Sequence, residues 1–213
     1  MKITLFGATG KTGKYLIGEA LKRGLDVTVF ARSATPFEEP RVRVVRGDLS
    51  DTALLRDAIR GSDAVLSALG PTSVPHPKDL PITRATEAII SAMRQEDITR
   101  LIAVSTGTAV DPRDGSDWKI WLPAMVIKYA MRSTYDDIIG LAKAIRYSNL
   151  DWTMVRAAVL KSSPASRHVN IGLYGHTKHS WTVNREDLAI FMLDQVSQGD
   201  FVHQAPGISS RKI

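Results

Sequence analysis

The sequence predicts an α/β fold in which helices flank a doubly wound parallel sheet, and three observations carry that expectation. A short apolar run at residues 3–6 (ITLF) leads into glycines 7, 10 and 13, then into helix-spaced apolar positions at Tyr15, Leu16, Ala20 and Leu21. Apolar, β-leaning runs go on alternating with helical patterns as far as residue 155. The glycine and polar motifs that stand out fall just after those runs, at the sheet edge where such folds take ligands.

A strand, a glycine turn and a helix start, in that order, make an anion site. The first-turn N–H groups and the positive end of the helix dipole point at whatever the turn admits. Gly7 permits the sharp turn, Gly10 lets a pyrophosphate approach the backbone, and Gly13 lets the helix lie close on the sheet. Thr9 and Thr12 add hydroxyl donors to the same loop. The expectation is a dinucleotide site with GxxGxxG spacing.

Gly24 reads as the end of the first helix, and residues 26–31 (DVTVFA) as a second strand. Arg32 and Ser33 follow it, where an NAD-binding chain usually places a carboxylate for the ribose 2′-hydroxyl. An arginine there can pair with a 2′-phosphate and Ser33 can donate a further hydrogen bond, so NADP(H) is expected over NAD(H). Residues 41–46 (RVRVVR) read as the third strand, followed by Gly47, Asp48 and Leu49. Asp48 has two readings: an acceptor for the adenine amino group with Leu49 covering the ring, or the cap of a helix over 51–59. The fourth strand, 63–69, ends at Leu69 and Gly70, where the cofactor backbone is expected to pass. Prolines 71, 75, 77 and 81 stiffen the next loop, a helix is expected over 82–95, and a fifth strand over 101–104 runs into Ser105, Thr106 and Gly107.

Residues 108–134 read as an insertion, in which Trp118, Trp121, Leu122, Met125 and Tyr129 recur at helical spacing. That stripe has three readings: a wall over the nicotinamide end that stacks a flat acceptor, a face packed onto the sheet, or a dimer contact. A helix over 134–147 and a sixth strand over 150–155 follow. Residues 157–183 are expected to form a small substrate-side lobe with short strands over 168–174 and 178–183. Residues 185–196 read as a helix capped by Asn184 with Asp187 at its third position, and the tail as loop. The chain is therefore read as one domain, 1–213.

With 213 residues, 44% hydrophobic and 23% charged, the chain can bury a real core. Its lack of cysteine excludes disulfides and thiolate chemistry and fits a reducing compartment. No leader pattern or span-length apolar run is present, so a cytoplasmic protein without membrane contact is expected. The net charge of +6 is scattered rather than blocked, which argues against nucleic acid as the partner. A monomer is the default expectation, a dimer the alternative.

Taken together, GATGKTG at 7–13 with its preceding strand, Arg32, GDL at 47–49, LG at 69–70, ST at 105–106, NLDWTMVR at 149–156 and NREDLAIFML at 184–193 resemble one family. They are similar to the NAD(P)H-binding atypical short-chain dehydrogenases/reductases, nearest to the flavin reductase/biliverdin-IXβ reductase type, with the NmrA-like redox-sensing regulators as relatives. The resemblance implies a Rossmann fold. It also implies NADP contacts from Gly7, Thr9, Gly10, Thr12, Gly13, Arg32, Ser33, Asp48, Leu49, Leu69, Gly70 and Thr106. Thr106 takes the place of that type's serine after the fifth strand and is the candidate catalytic residue. Ala158 and Val159 stand where that type carries a histidine.

Typical short-chain dehydrogenases pair a tyrosine with a lysine four residues on, the lysine lowering the phenol pKa for proton transfer. Only Tyr174 and Lys178 have that spacing, and they lie on the wrong element, so the match is read as chance. Hydride addition to a flavin, quinone or tetrapyrrole spreads charge over a conjugated system and can draw its proton from water. A planar small-molecule acceptor is therefore the expected substrate. The alternative is a non-catalytic NADP(H) sensor. His176 and His179 lack a third ligand of suitable spacing, so no metal is expected, and Lys143 reads as a solvated helix position.

Overall fold

The computed structural model describes residues 1–71 and 75–211. In chain order the elements are β1 Lys2–Phe6, α1 Gly13–Lys22, β2 Asp26–Ala31, β3 Arg43–Arg46, α2 Thr52–Ile59, β4 Ala64–Ser67, α3 Pro81–Gln95 and β5 Arg100–Thr106. They continue with α4 Trp118–Ala130, α5 Arg132–Arg146, β6 Asp151–Ala157, β7 Val159–Lys161, β8 Val169–Gly172, β9 Thr182–Asn184, α6 Arg185–Ser197 and β10 Gly207–Ser210.

Eight strands form the main sheet in the order β3-β2-β1-β4-β5-β6-β10-β8. All neighbours pair parallel except β10 with β8. The sheet is the doubly wound α/β arrangement expected from the alternation of runs. Period-two strands direct successive side chains to opposite faces. Leu101 and Ala103 of β5 join the core beneath α2, α3 and α5. Ile102, between them, joins the core beneath α1 and α6. Thr4 is buried at the centre of β1, and its hydroxyl is satisfied by the Ala58 carbonyl at 2.7 Å and Ser62 Oγ at 2.8 Å.

The helix ends follow local chemistry in some places and tertiary contacts in others. Gly24, at φ +69°, closes α1: its N–H reaches the Leu21 carbonyl, and the Leu25 N–H reaches the Ala20 carbonyl. Asp51, rather than Asp48, caps α2, accepting from the N–H groups of Ala53 and Leu54 at 3.0 and 3.1 Å. The helix-cap reading of Asp48 is thereby removed. Asn184 makes no capping bond to α6; its amide donates to the Pro164 carbonyl and to Asp187. Asp187 is buried and accepts from Ser166 and Arg167, which pins the loop before β8 to the helix.

Two strands were not expected. The tail read as loop contains β10 (GISS), which inserts between β6 and β8; four residues without an apolar alternation carry no local strand signal, and pairing on both sides supplies the order. β7 follows β6 after one residue and pairs with β9 in a separate two-stranded parallel sheet. The segment 157–183 therefore divides, with β8 entering the main sheet beside β10 and β7 lying on β9.

Pro81 starts α3, and Leu80 before it is left-handed and offers no side-chain cap. Asp137 on α5 does the capping instead. Fully buried, it accepts from the Ile82 and Thr83 N–H groups at 3.0 and 2.7 Å, from Thr83 Oγ1 at 2.7 Å, and lies 2.7 Å from His76 Nε2. Burial alone would raise its pKa, but the donors from Thr83, His76 and Ile82 together hold it below the usual aspartate value of 3.8. Asp137→Ala is expected to cost about 2–4 kcal/mol in urea denaturation, because several buried donors lose their acceptor. A group whose pKa falls on folding stabilises the native state above its unfolded value and ceases to do so as pH falls through the folded one. The difference between wild type and variant should accordingly narrow as pH is taken below 3.8.

Candidate functional site

The expected contact residues all lie along the C-terminal edge of the parallel strands. In sheet order they are Asp48 and Leu49 after β3, Arg32 and Ser33 after β2, the glycine loop after β1, Leu69 and Gly70 after β4, and Thr106 at the end of β5. Four strand spacings separate the outer members, about 19 Å in all. That span matches the length of an elongated ligand lying across the sheet edge.

The glycine loop is shaped by close approach. Gly7 has φ +73°, and a Cβ there would meet the Ala68 carbonyl carbon at 2.7 Å. Only glycine lets the end of β1 turn against the exit of β4. Gly13 begins α1 directly against the Ala8 backbone, where a side chain would collide. The Gly10 N–H closes a turn onto the Gly7 carbonyl at 3.1 Å. Thr9, Gly10 and Lys11 are exposed.

The N-terminal end of α1 has no side-chain cap and no acidic residue in its first turn. By contrast, Asp51 caps α2, and α6 carries Glu186 and Asp187 in its first turn. An α1 first turn without an acidic residue, with exposed Lys11 and Lys14 beside it, fits the phosphates of a dinucleotide.

Arg32 and Ser33 are exposed, and among the described residues Arg32 has no side-chain partner. Arg46 holds the loop beyond them by donating to the carbonyls of Thr35 and Phe37 at 3.0 and 2.6 Å. Asp48 is exposed and accepts from the N–H and hydroxyl of Ser50, which keep its pKa low. Leu49 and Leu69 are half-buried against the same core cluster, and Gly70 is exposed with open space at its α-carbon. Thr106 accepts the Thr108 N–H at 3.3 Å, which leaves its own proton available to a ligand. Next to it, the buried Ser105 hydroxyl has no partner among the described residues.

Beyond the end of β5 lies a cavity of about 490 Å³, lined by Thr108, Asp114, Trp118, Trp121, Met125 and Tyr174 among others. α4 forms one wall. Trp118 and Trp121 are 63% and 62% exposed and no residue of α4 is buried, so the stripe is not packed onto the sheet. Leu122 and Tyr129, at 47% and 72% exposure, face away from the core without lining the cavity.

Sequence reasoning missed the group that fixes this cavity. Arg156, in β6, is fully buried and forms a two-point ion pair with Asp114, one arm at 2.7 Å, while its Nε donates to the Ala205 carbonyl at 2.7 Å. Its guanidinium lies 4.6 Å from the Tyr174 ring centre. The Tyr174 hydroxyl donates to the Arg156 carbonyl at 2.8 Å, and burial pushes the phenol pKa up. Tyr174 is thus a neutral structural wall, which agrees with reading its spacing to Lys178 as chance. A lone arginine inside a buried-strand pattern was the signal available, since such a charge requires a partner.

His179 is buried with Nδ1 3.1 Å from Ser209 Oγ and Nε2 3.2 Å from the Gly172 carbonyl, and burial lowers its pKa. His176 and Lys143 are exposed.

A model of NAD(P)H-binding proteins matches residues 7–199. The chain belongs to this NAD(P)H-binding family. It is 26% identical over 204 residues to the uncharacterized protein YwnB of Bacillus subtilis, covering 92% of each chain. A short-chain dehydrogenase/reductase from Veillonella parvula, solved in complex with NADP, shares the fold at TM-score 0.77 and 20% identity, over 98% of this chain and 94% of that one. A Streptococcus pneumoniae protein, SP1627, proposed to be an NADH-flavin reductase, does so at TM-score 0.79 and 20% identity, over 99% of this chain and all of the other. The family member described here therefore shares the Rossmann-like α/β fold of these solved structures.

Gly7→Ala should cost about 1–3 kcal/mol on thermal or urea unfolding and weaken dinucleotide binding, because it adds left-handed strain and a backbone collision. Gly24→Ala is the control. Its φ is also positive, at +69°, but its α-carbon faces open space, so it should carry the conformational cost alone and leave cofactor affinity unchanged.

Proposed function

We propose that the chain is an NADPH-dependent reductase that passes hydride to a planar conjugated acceptor of flavin, quinone or tetrapyrrole type. The observation that carries the reading is the aromatic-walled cavity at the end of β5, which Thr108, two residues beyond Thr106, helps to line, and whose helical tyrosine, Tyr135, is followed four residues on by Ile139 rather than by a lysine. Family membership and the oxidoreductase character of the structural neighbours support the reaction class.

In this reading the adenine end lies over β2 and β3 and the nicotinamide end over β4 and β5. Arg32 and Ser33 pair with the 2′-phosphate, the start of α1 receives the pyrophosphate, and Asp48 with Leu49 borders the adenine. When bound, the cofactor supplies the hydride. Thr106 donates a hydrogen bond at the nicotinamide end, its oxygen already held by the Thr108 N–H. Trp118, Trp121 and Met125 present flat or pliable apolar surface to the acceptor and exclude water from one side of it. No side chain is assigned as proton donor, because a conjugated acceptor delocalises the added charge and takes its proton from solvent.

Steady-state oxidation of NADPH and NADH with a panel of flavins, quinones and linear tetrapyrroles tests the reading. Turnover with at least one acceptor is expected; tight NADPH binding with none across the panel would favour the sensor instead. Arg32→Ala should reduce the preference for NADP(H) over NAD(H) by roughly 10- to 100-fold, as expected for a charge-assisted contact. An unchanged ratio would remove that side chain from cofactor discrimination. Trp118→Ala and Trp121→Ala should each raise the acceptor KM about tenfold while leaving NADPH affinity unaltered. Because both rings are mostly exposed, each should change stability by less than about 1 kcal/mol. Variants that melt early with normal acceptor kinetics would end the acceptor-wall assignment.

A further inference from the structure

The composition of α4 sets it apart from the other helices. Its sequence WKIWLPAMVIKYA is apolar around the whole circumference, yet none of its residues is buried. A helix of that kind ordinarily belongs in a core or in lipid. One side accounts for itself: Trp118, Ile120, Trp121, Ala124 and Met125 line the cavity. The opposite side does not, because Leu122, Val126 and Tyr129 face solvent.

This apolar face continues beyond the helix. The Trp118 ring meets Trp181 edge-on at 5.6 Å, and the Trp181 carbonyl accepts the Val159 N–H at 3.0 Å. Trp181 and Val159 are themselves exposed. A contiguous surface of tryptophan, tyrosine and aliphatic side chains therefore spans α4 and the β7–β9 ribbon, well beyond the scattered apolar residues of an ordinary surface.

Charge indicates what covers it. The chain has 22 Asp and Glu residues, but none falls in 118–135 or in 152–185, the segments that build this face. In the same segments Lys119, Lys128, Lys161 and Lys178 have no carboxylate partner among the described residues, whereas Arg132 pairs with Asp136 and the buried Arg156 with Asp114. Of the carboxylates adjoining α4, Asp117 caps it by accepting the Lys119 N–H at 3.0 Å and keeps its charge, while Asp136 and Arg132 pair at 2.9 Å and cancel, so four lysines against one carboxylate leave the border basic. A second copy seated face to face would bring two basic rims together, which electrostatics opposes. Interfacial aromatics with basic side chains at their border are instead complementary to a lipid surface with negative headgroups.

We infer that α4 and the β7–β9 ribbon form a peripheral docking surface for an anionic phospholipid bilayer, with the helix lying in the interface rather than crossing it. At 13 residues the helix is about 20 Å long, suited to lying flat and too short to span. The inference stands independently of the proposed reductase activity, since Leu122, Val126, Tyr129, Val159 and Trp181 do not line the cavity and Trp118 alone is shared with it.

The test is flotation of the full chain with large unilamellar vesicles, either phosphatidylcholine alone or an equal mixture with phosphatidylglycerol, alongside light scattering of the lipid-free protein. Binding to the anionic vesicles is expected, with a blue shift of tryptophan emission and progressive release by salt. Leu122→Glu combined with Tyr129→Glu should abolish flotation without altering the melting temperature, since both side chains are exposed and neither lines the cavity. Lys161→Glu combined with Lys178→Glu should weaken anionic-vesicle binding by at least tenfold, as loss of two lysines near a charged surface implies. Absence of binding at low salt, equal binding to neutral vesicles, or unimpaired binding by the Leu122/Tyr129 variant would each overturn the inference. So would a wild-type dimer that the same variant converts to monomer, which would assign the face to a second copy.

Discussion

The buried guanidinium of Arg156 organises the cavity side of the molecule. A charge fully removed from water is tolerated only when each of its polar edges has a partner. Asp114 supplies the counter-charge, the Ala205 carbonyl takes Nε, and the Tyr174 ring covers the face. These partners come from the insertion after β5, the segment before β10 and the turn after β8. One side chain thus fixes three otherwise unrelated stretches at the edge of β6. Asp114 also accepts the Tyr174 N–H at 3.1 Å, and the Gly115 N–H donates to the Tyr174 carbonyl at 2.8 Å, so the cavity floor is hydrogen-bonded as well as ion-paired.

The cofactor side is built differently, from backbone proximity rather than charge pairing. Gly7 and Gly13 let β1, α1 and the exit of β4 come together at distances no Cβ permits. The first turn of α1 that results carries no acidic residue. Meanwhile the polar groups farther along the edge are either exposed, as Arg32 and Ser33 are, or half-satisfied, as Thr106 is. The two ends of this edge are therefore built differently: a glycine-tight end at the start of α1, and an aromatic end whose α4 wall rests on α5 and touches the 179–181 segment through Lys119 and Trp118. A wall with no buried residue can move at lower cost than a packed helix, which suits the acceptor site proposed for this cavity.

The legibility of these features in the sequence followed their range. β1 through β6 and the helices between them were readable because their apolar periodicity is local, and a strand buried on both faces must be a continuous apolar run. The positions of Arg32, Asp48, Gly70 and Thr106 at strand ends came with the same pattern, since the alternation dictates which edge they occupy. By contrast, Asp51 and Asp48 offer the same carboxylate three residues apart, and only the backbone path decides which one caps α2. Asp137 capping α3 from 54 residues away along the chain could not be read locally at all.

The sequence by itself determined the parallel α/β sheet, the glycine turn opening α1 and the set of side chains offered along the ligand edge, because each depends on residues within a few positions of one another. The tertiary structure alone decided that GISS becomes β10 between β6 and β8, that Arg156 is buried against the Tyr174 ring, and that the tryptophans of α4 face a cavity and solvent instead of the core. Each of these depends on partners dozens of residues distant, brought together only when loop closure has been compensated by burial of the sheet's two faces.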